Sequence, residues 1–188
     1  MSSTGSALCR KGRFRAWRAR AGSLGRFQVW PAGLLLAAAV TAVYFPIVGF
    51  EFVDYDVPEQ LLENRSIREI TPASLQEIFT SWSVRSYYPV RTLTYAIDYR
   101  IWGGLEPAGF KLTGSVLHLA NVYLVFWLIL RLFRQAESGE TGQRPRQEVW
   151  IAALGAGLFA VHPVAVEPVT WVAGREELLM TLGALGCI

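Results

Sequence analysis

The sequence predicts an all-α fold, a multi-pass transmembrane helical bundle with three complete spans, the start of a fourth, and short amphipathic interfacial helices in the first external loop. Three observations predict it. Apolar residues make up 52% of the 188 positions and charged residues only 18%, an unusual ratio for a soluble domain. The apolar residues gather in uncharged runs, as a bilayer requires when each ionised side chain at its centre costs roughly 2.5–3.5 kcal/mol on insertion scales. Charge is also unevenly placed: residues 1–28 hold seven Arg or Lys and no acid, whereas residues 51–111 hold nine acids against six bases.

The first run, Val29 to Phe50, is uncharged for 22 residues, enough to cross roughly 30 Å of hydrocarbon at 1.5 Å per residue. A cleaved signal peptide is the competing reading, but its apolar region is only about 7–15 residues long. A span over about 29–50 is expected. The second run, from Leu112, predicts a span over 112–133 and carries His118 and Asn121 at helical spacing. Gly114, Ser115 and Ala120 on this run allow another helix to approach closely. The third span is expected over 149–166, with His162 and Pro163 inside it. A fourth begins at Leu178 and stops after 11 residues at Ile188. About 20 residues are needed for a crossing, so the chain is expected to be a fragment of a longer protein.

Positive charge close to a span sets orientation. Arg10, Lys11, Arg13, Arg15, Arg18, Arg20 and Arg26 therefore place a basic tail, 1–28, in the cytoplasm. Counting crossings puts residues 51–111 and 164–177 outside and returns 134–148 to the cytoplasm. The first external loop contains two amphipathic stretches. Pro72–Thr80 has Thr71 as its N-cap and Leu75, Ile78 and Phe79 on one face. Val90–Trp102 has Leu93, Ile97 and Ile101 spaced by four. Both are expected along the membrane interface, with Tyr87, Tyr88, Tyr95, Tyr99 and Trp102 near the headgroups.

Cys9 and Cys187 lie at opposite ends with no partner spacing, so neither a disulfide framework nor a metal site is implied. A divalent metal is conceivable at the loop acids but not indicated. The basic tail beside a span reads as a topology signal with affinity for anionic membrane lipid rather than for nucleic acid. The abundance of Arg over Lys, 16 against 2, points weakly to a bacterial inner membrane; in a eukaryote the endoplasmic reticulum membrane is expected.

Two clusters are candidates for chemistry. Asp54 and Asp56 follow the first span, where partial desolvation raises a carboxyl pKa and makes it a usable base; a solvated acidic turn is the other reading. His162, Glu167, Arg175, Glu176 and Glu177 follow the third. Ionisable groups at membrane depth mark functional sites, but Pro163 also ends a helix and Arg175 has acids with which to pair. Arg91 has the geometry to meet an anionic group, or to snorkel. His118 and Asn121 read as packing contacts between helices.

The order of motifs carries a resemblance. Phe52-Val-Asp-Tyr-Asp56, Tyr88-Pro-Val-Arg-Thr-Leu-Thr94, Asp98, Trp102-Gly and Pro107-Ala-Gly-Phe precede Leu117-His118 and Asn121. His162-Pro-Val-Ala-Val-Glu-Pro-Val-Thr-Trp-Val-Ala-Gly-Arg-Glu-Glu-Leu-Leu179 follows. Over about residues 45–185 this resembles the transmembrane and tetratricopeptide-repeat O-mannosyltransferase-like family. Its members are similar to C-type glycosyltransferases, which take a sugar from a polyprenyl-phosphate carrier and attach it to an extracytoplasmic acceptor.

The resemblance implies transfer of a sugar, mannose among the candidates, to a hydroxyl of a protein or glycan, with the lipid-linked sugar as substrate and no cofactor. Asp56, or Asp54, would be the base in an inverting displacement. Arg91 or Arg175 would meet the leaving phosphate, His162 and Glu167 would shape the donor pocket or orient those arginines, and Glu176 would be a further substrate-binding residue. Val57 stands where the family has a second acid. A non-catalytic membrane scaffold and a transporter subunit are the alternatives, and the fragment alone is expected to be inactive.

Overall fold

A computed structural model describes residues 28–53, 57–80, 87–136 and 145–188. Helices account for its regular structure, and no strand occurs among the described residues. The first helix, α1, covers 28–44 and tightens into a 3₁₀ turn, Phe45–Gly49. Pro46 causes the change, because it has no N–H for a further α-helical bond and its ring crowds the carbonyl four residues back. Together they make Gln28–Gly49, 22 residues, one of two segments among the described residues long and apolar enough to cross a membrane.

The second such segment is Pro107–Phe133, within α4, Pro107–Ala136. It starts earlier than the expected 112 because Lys111 is no obstacle. Its ammonium is buried and donates to the carbonyls of Phe50 at 2.5 Å and Glu51 at 2.7 Å. A cation thus closes the C-terminal end of the first span, where the helix dipole is negative.

The third span, expected over 149–166, is instead broken. Helix α5, Pro145–Ala160, is followed by a 3₁₀ turn, Pro163–Ala165, and α6, Val166–Thr170. The segments Gln147–Ala160 and Pro163–Thr170 meet at 52°, so the described residues hold two candidate spans, or three if this bent pair is one. A second 3₁₀ turn, Val172–Gly174, leads into α7, Arg175–Gly186, which starts before the expected Leu178. Between α1 and α4 lie α2, Pro72–Thr80, and α3, Pro89–Trp102. Helix α2 begins as expected: Ser74 N–H donates to Thr71 Oγ1 at 3.1 Å, and Thr71 N–H to Ser74 Oγ at 2.9 Å. That reciprocal cap resembles a capping box, with Ser in the acidic position.

Two cores hold these elements. In the spanning core, residues four apart face inward: Leu36, Val40 and Tyr44 on α1, Val122, Phe126 and Leu130 on α4, Ala152, Ala156 and Ala160 on α5. Alanines on α5 permit a close approach to α4. Gly155 is closer still, since a Cβ there would lie 2.9 Å from Ile129 Cδ1. Leu34, Leu35, Val116, Leu154 and Leu158 face outward and are each more than half exposed, the pattern lipid stabilises. The second core gathers Val57, Leu61, Ile67, Ile78, Tyr95, Phe110, Val172 and Ala173. It packs the loop after α1 and the segment before α7 into one body at the end of the bundle where α4 starts.

Candidate functional site

Helix α3 brings polar groups into this loop core. Pro89 stands in its first turn, and Gly103 ends it at φ 74°, the left-handed conformation in which glycine has no steric penalty. Arg91, Tyr95 and Asp98, at i, i+4 and i+7, share its inner face and are no more than 3% exposed. Val90, Ile97 and Ile101 are exposed. The inner face thus carries two buried ions among Tyr95 and Ala96, while part of the apolar stripe, Ile97 and Ile101, turns outward.

Arg175, at the start of α7, is 1% exposed and meets Asp98 with Nη1 to Oδ2 at 2.6 Å. Its other contacts are Thr94 Oγ1 at 3.3 Å and the Phe110 carbonyl at 2.8 Å. The guanidinium also stacks over Tyr95 and Phe110, 4.8 and 5.5 Å from the ring centres. Asp98 Oδ1 accepts from Thr113 Oγ1 at 2.8 Å, and Trp102 Nε1 donates to that hydroxyl at 3.4 Å. Burial pushes the Asp98 carboxyl above its ordinary range, against the pull of Arg175 and Thr113. Tyr95 OH donates to the Val172 carbonyl at 2.7 Å. Burial pushes this phenol up to about 12.

A second pair lies beside the first. Arg91 Nη1 is 3.0 Å from Glu176 Oε2 and 3.3 Å from the Ala173 carbonyl, with its guanidinium 4.7 Å from the centre of the Tyr88 ring. The Glu176 side chain is 21% exposed, so this pair forms the open side of the network. An anion arriving there meets a cation whose present partner is already near solvent.

The remaining predicted residues lie elsewhere. His162 is exposed at the break after α5, where its Nδ1 accepts the Val164 N–H at 3.2 Å. It lines a cleft of about 400 Å³ with His118, Asn121, Pro168, Glu177 and Thr181. His118 and Asn121 are buried and bond to backbone across helices, His118 to the Ala160 carbonyl at 3.0 Å and Asn121 to the Leu178 carbonyl at 3.0 Å. Gly114 lets α6 come close: a Cβ there would lie 3.2 Å from the Val169 carbonyl.

Glu167 is exposed and lines no part of that cleft. Asp54 and Asp56 fall outside the described residues. The structure therefore joins Arg91, Arg175 and Glu176 and sets His162 apart. Asp98, Tyr95 and Thr113 are the site members that sequence reasoning passed over. For Tyr95 and Asp98 the available signal is their spacing from Arg91, i+4 and i+7 on α3; Thr113, on α4, has no comparable signal.

No family model matches the chain, and no solved structure matches it. Curated proteins do. The chain is 31% identical to "Protein O-mannosyl-transferase TMTC4" of Mus musculus over 136 residues, 68% of this chain and 18% of that protein. It is 34% identical to "Protein O-mannosyl-transferase TMTC3" of Mus musculus over 158 residues, 79% of this chain and 15% of that protein. To "Protein O-mannosyl-transferase Tmtc3" of Drosophila melanogaster it is 33% identical over 144 residues, 68% of this chain and 15% of that protein. The chain thus spans less than a fifth of the length of these curated relatives. With apolar helices of spanning length and this similarity along most of its residues, the chain is a membrane protein that belongs to the transmembrane and tetratricopeptide-repeat O-mannosyltransferase-like family.

Proposed function

We propose that the chain forms part of a membrane glycosyltransferase that moves a sugar from a polyprenyl-phosphate carrier to a hydroxyl of a protein acceptor on the extracytoplasmic side. The relatives' shared name, protein O-mannosyl-transferase, supports the reaction class and makes mannose the first sugar to test. In this reading the bent pair is a third span, α7 begins a fourth, the N-terminus is cytoplasmic, and α3 lies in the membrane interface. The carrier's hydrocarbon tail stays in the bilayer while its sugar phosphate reaches the loop core.

The observation that carries the reading is the second core. Val57, next in sequence to Asp56, packs with Val172 and Ala173, just before Arg175. Val57 and the segment before Arg175 thus share one core, which supports a substrate shared between the residues flanking them. Asp56 is the base that takes the acceptor proton as the hydroxyl oxygen attacks the anomeric carbon. The bond to the lipid phosphate breaks and the configuration inverts. Arg91 meets the leaving phosphate by exchanging Glu176 for it, because a fixed guanidinium matches phosphate oxygens in pairs. Arg175, paired with Asp98, keeps Arg91 and Glu176 in register.

A non-catalytic scaffold is the second reading. Val57, where the family has an acid, is 2% exposed inside an apolar core, so this position serves packing here. One experiment separates the two. In the full-length protein carrying this chain, Asp56→Asn abolishes transfer from a polyprenyl-phosphate sugar while the protein remains folded in the membrane. Unchanged transfer removes Asp56 from the mechanism, and absence of transfer in the unsubstituted protein supports the scaffold.

A further inference from the structure

The cleft beside the bend has a chemistry of its own. Its wall includes Asn121, fully buried, whose Nδ2 donates to the Leu178 carbonyl at 3.0 Å. A carbonyl cannot donate in return, so this contact fixes the amide's orientation and leaves Oδ1 as the free end. Asn121 Oδ1 is buried and has no hydrogen-bond partner among the described residues. A buried acceptor without a donor is unfavourable unless a ligand supplies one.

The other polar groups have the same bias. Thr181 Oγ1 donates to the Glu177 carbonyl at 2.8 Å, leaving its lone pairs free. The Glu177 carboxylate is a further acceptor. His162 receives the Val164 N–H on Nδ1, so its ring proton sits on Nε2, a donor beside the second N–H of Asn121 Nδ2. Leu158, Phe159, Val164, Pro168 and Leu178 supply an apolar floor. Leu158 and Val164 are 64% and 76% exposed, which opens the cleft on the side that faces lipid. Its volume, about 400 Å³, is in the usual range for small-molecule sites. No Arg or Lys lines it among the described residues.

We infer that this cleft binds an amphiphile whose head donates a hydrogen bond, a hydroxyl or a primary ammonium on an apolar chain. A phosphate head finds no cation there and meets Glu177, so the cleft is a second lipid site, distinct from any site for the lipid-phosphate donor. The inference does not depend on the proposed transfer.

The test is photolabelling of the chain in micelles with a diazirine-bearing octadecanol, mapped by mass spectrometry. Saturable labelling is expected within residues 158–181. Octadecanol or octadecylammonium should displace it at least tenfold better than octadecyl phosphate. Glu177→Gln should weaken displacement by octadecylammonium and leave displacement by octadecanol unchanged. Leu158→Trp fills the cleft from an exposed position, without touching the buried core, and should lower labelling at least tenfold. Unsaturable labelling, equal displacement by the phosphate, or full labelling of Leu158→Trp overturns the inference.

Discussion

The Arg175 guanidinium and the Asp98 carboxylate stand 2.6 Å apart, each at most 3% exposed, and join the first turn of α7 to the inner face of α3. Two ions removed from water are costly, and their attraction offsets that cost only when their remaining hydrogen-bonding groups are served. Here Thr94, the Phe110 carbonyl and Thr113 serve part of that need, while Arg175 Nε is buried without a hydrogen-bond partner among the described residues. The pair therefore fixes one arrangement of the loop core, with Arg91 and Glu176 held beside it.

Removing one partner leaves the other ion buried. Asp98→Asn is expected to destabilise the protein by about 3–5 kcal/mol, whereas the double replacement Asp98→Leu with Arg175→Met costs less than half as much, because no uncompensated charge remains. Thermal unfolding in detergent measures both. A double variant as unstable as Asp98→Asn would show that the pair's hydrogen bonds, and not its charges, dominate.

Tyr95 supplies a pH dependence. Its phenol is raised from 10.0 to about 12, chiefly by burial, so the folded state keeps a proton that the unfolded chain gives up. The stabilisation is fully present below pH 10 and is lost as pH rises through about 12. Unfolding followed between pH 9 and 12 should show stability falling by roughly 2–3 kcal/mol, and Tyr95→Phe should flatten that slope. A tyrosinate absorbance component with a midpoint near 12, missing from Tyr95→Phe, confirms the source.

The elements were legible where local chemistry decides them. Thr71-Pro72 announces the start of α2, and the uncharged runs mark α1 and α4. Pro163 announces the break, although its 52° angle depends on what packs around it. Arg175 was legible as a residue in need of an acid, but Glu176, Glu177 and Glu167 are all nearer in sequence than Asp98. The choice of Asp98 follows from α3 turning its polar face inward. The apolar stripe of Ile97 and Ile101 marks one face of the helix, but which polar residues fill the opposite face, and that Tyr95 is buried there rather than set among headgroups, depends on packing against α7 that the stripe does not encode.

The outward apolar residues of α3 give a direct measurement. If α3 lies in the interface, nitroxides at Ile97→Cys and Ile101→Cys, both exposed, relax faster with dissolved oxygen than with a water-soluble nickel chelate in reconstituted bilayers. The exposed Arg68→Cys on the loop should show the opposite ranking. Stronger relaxation by the chelate at both α3 positions would place the helix in water.

The break after α5 frees a carbonyl whose capture ties three helices together. In a continuous helix Ala160 would accept the N–H of Val164, but that N–H goes to His162 Nδ1. Ala160 instead receives Tyr44 OH from α1 at 3.3 Å and His118 Nε2 from α4 at 3.0 Å, and facing a carbonyl the imidazole must carry its proton on Nε2. Either donor alone satisfies the carbonyl, so Tyr44→Phe and His118→Phe should each cost about 1 kcal/mol or less. Together they leave it unpaired in a low-dielectric setting, adding about 1–3 kcal/mol beyond the sum of the single changes. A double-mutant cycle by thermal unfolding in micelles measures the coupling. Strict additivity would mean that Ala160 finds another donor when both are gone, and that the bend is held by packing at Pro163 rather than by this shared acceptor.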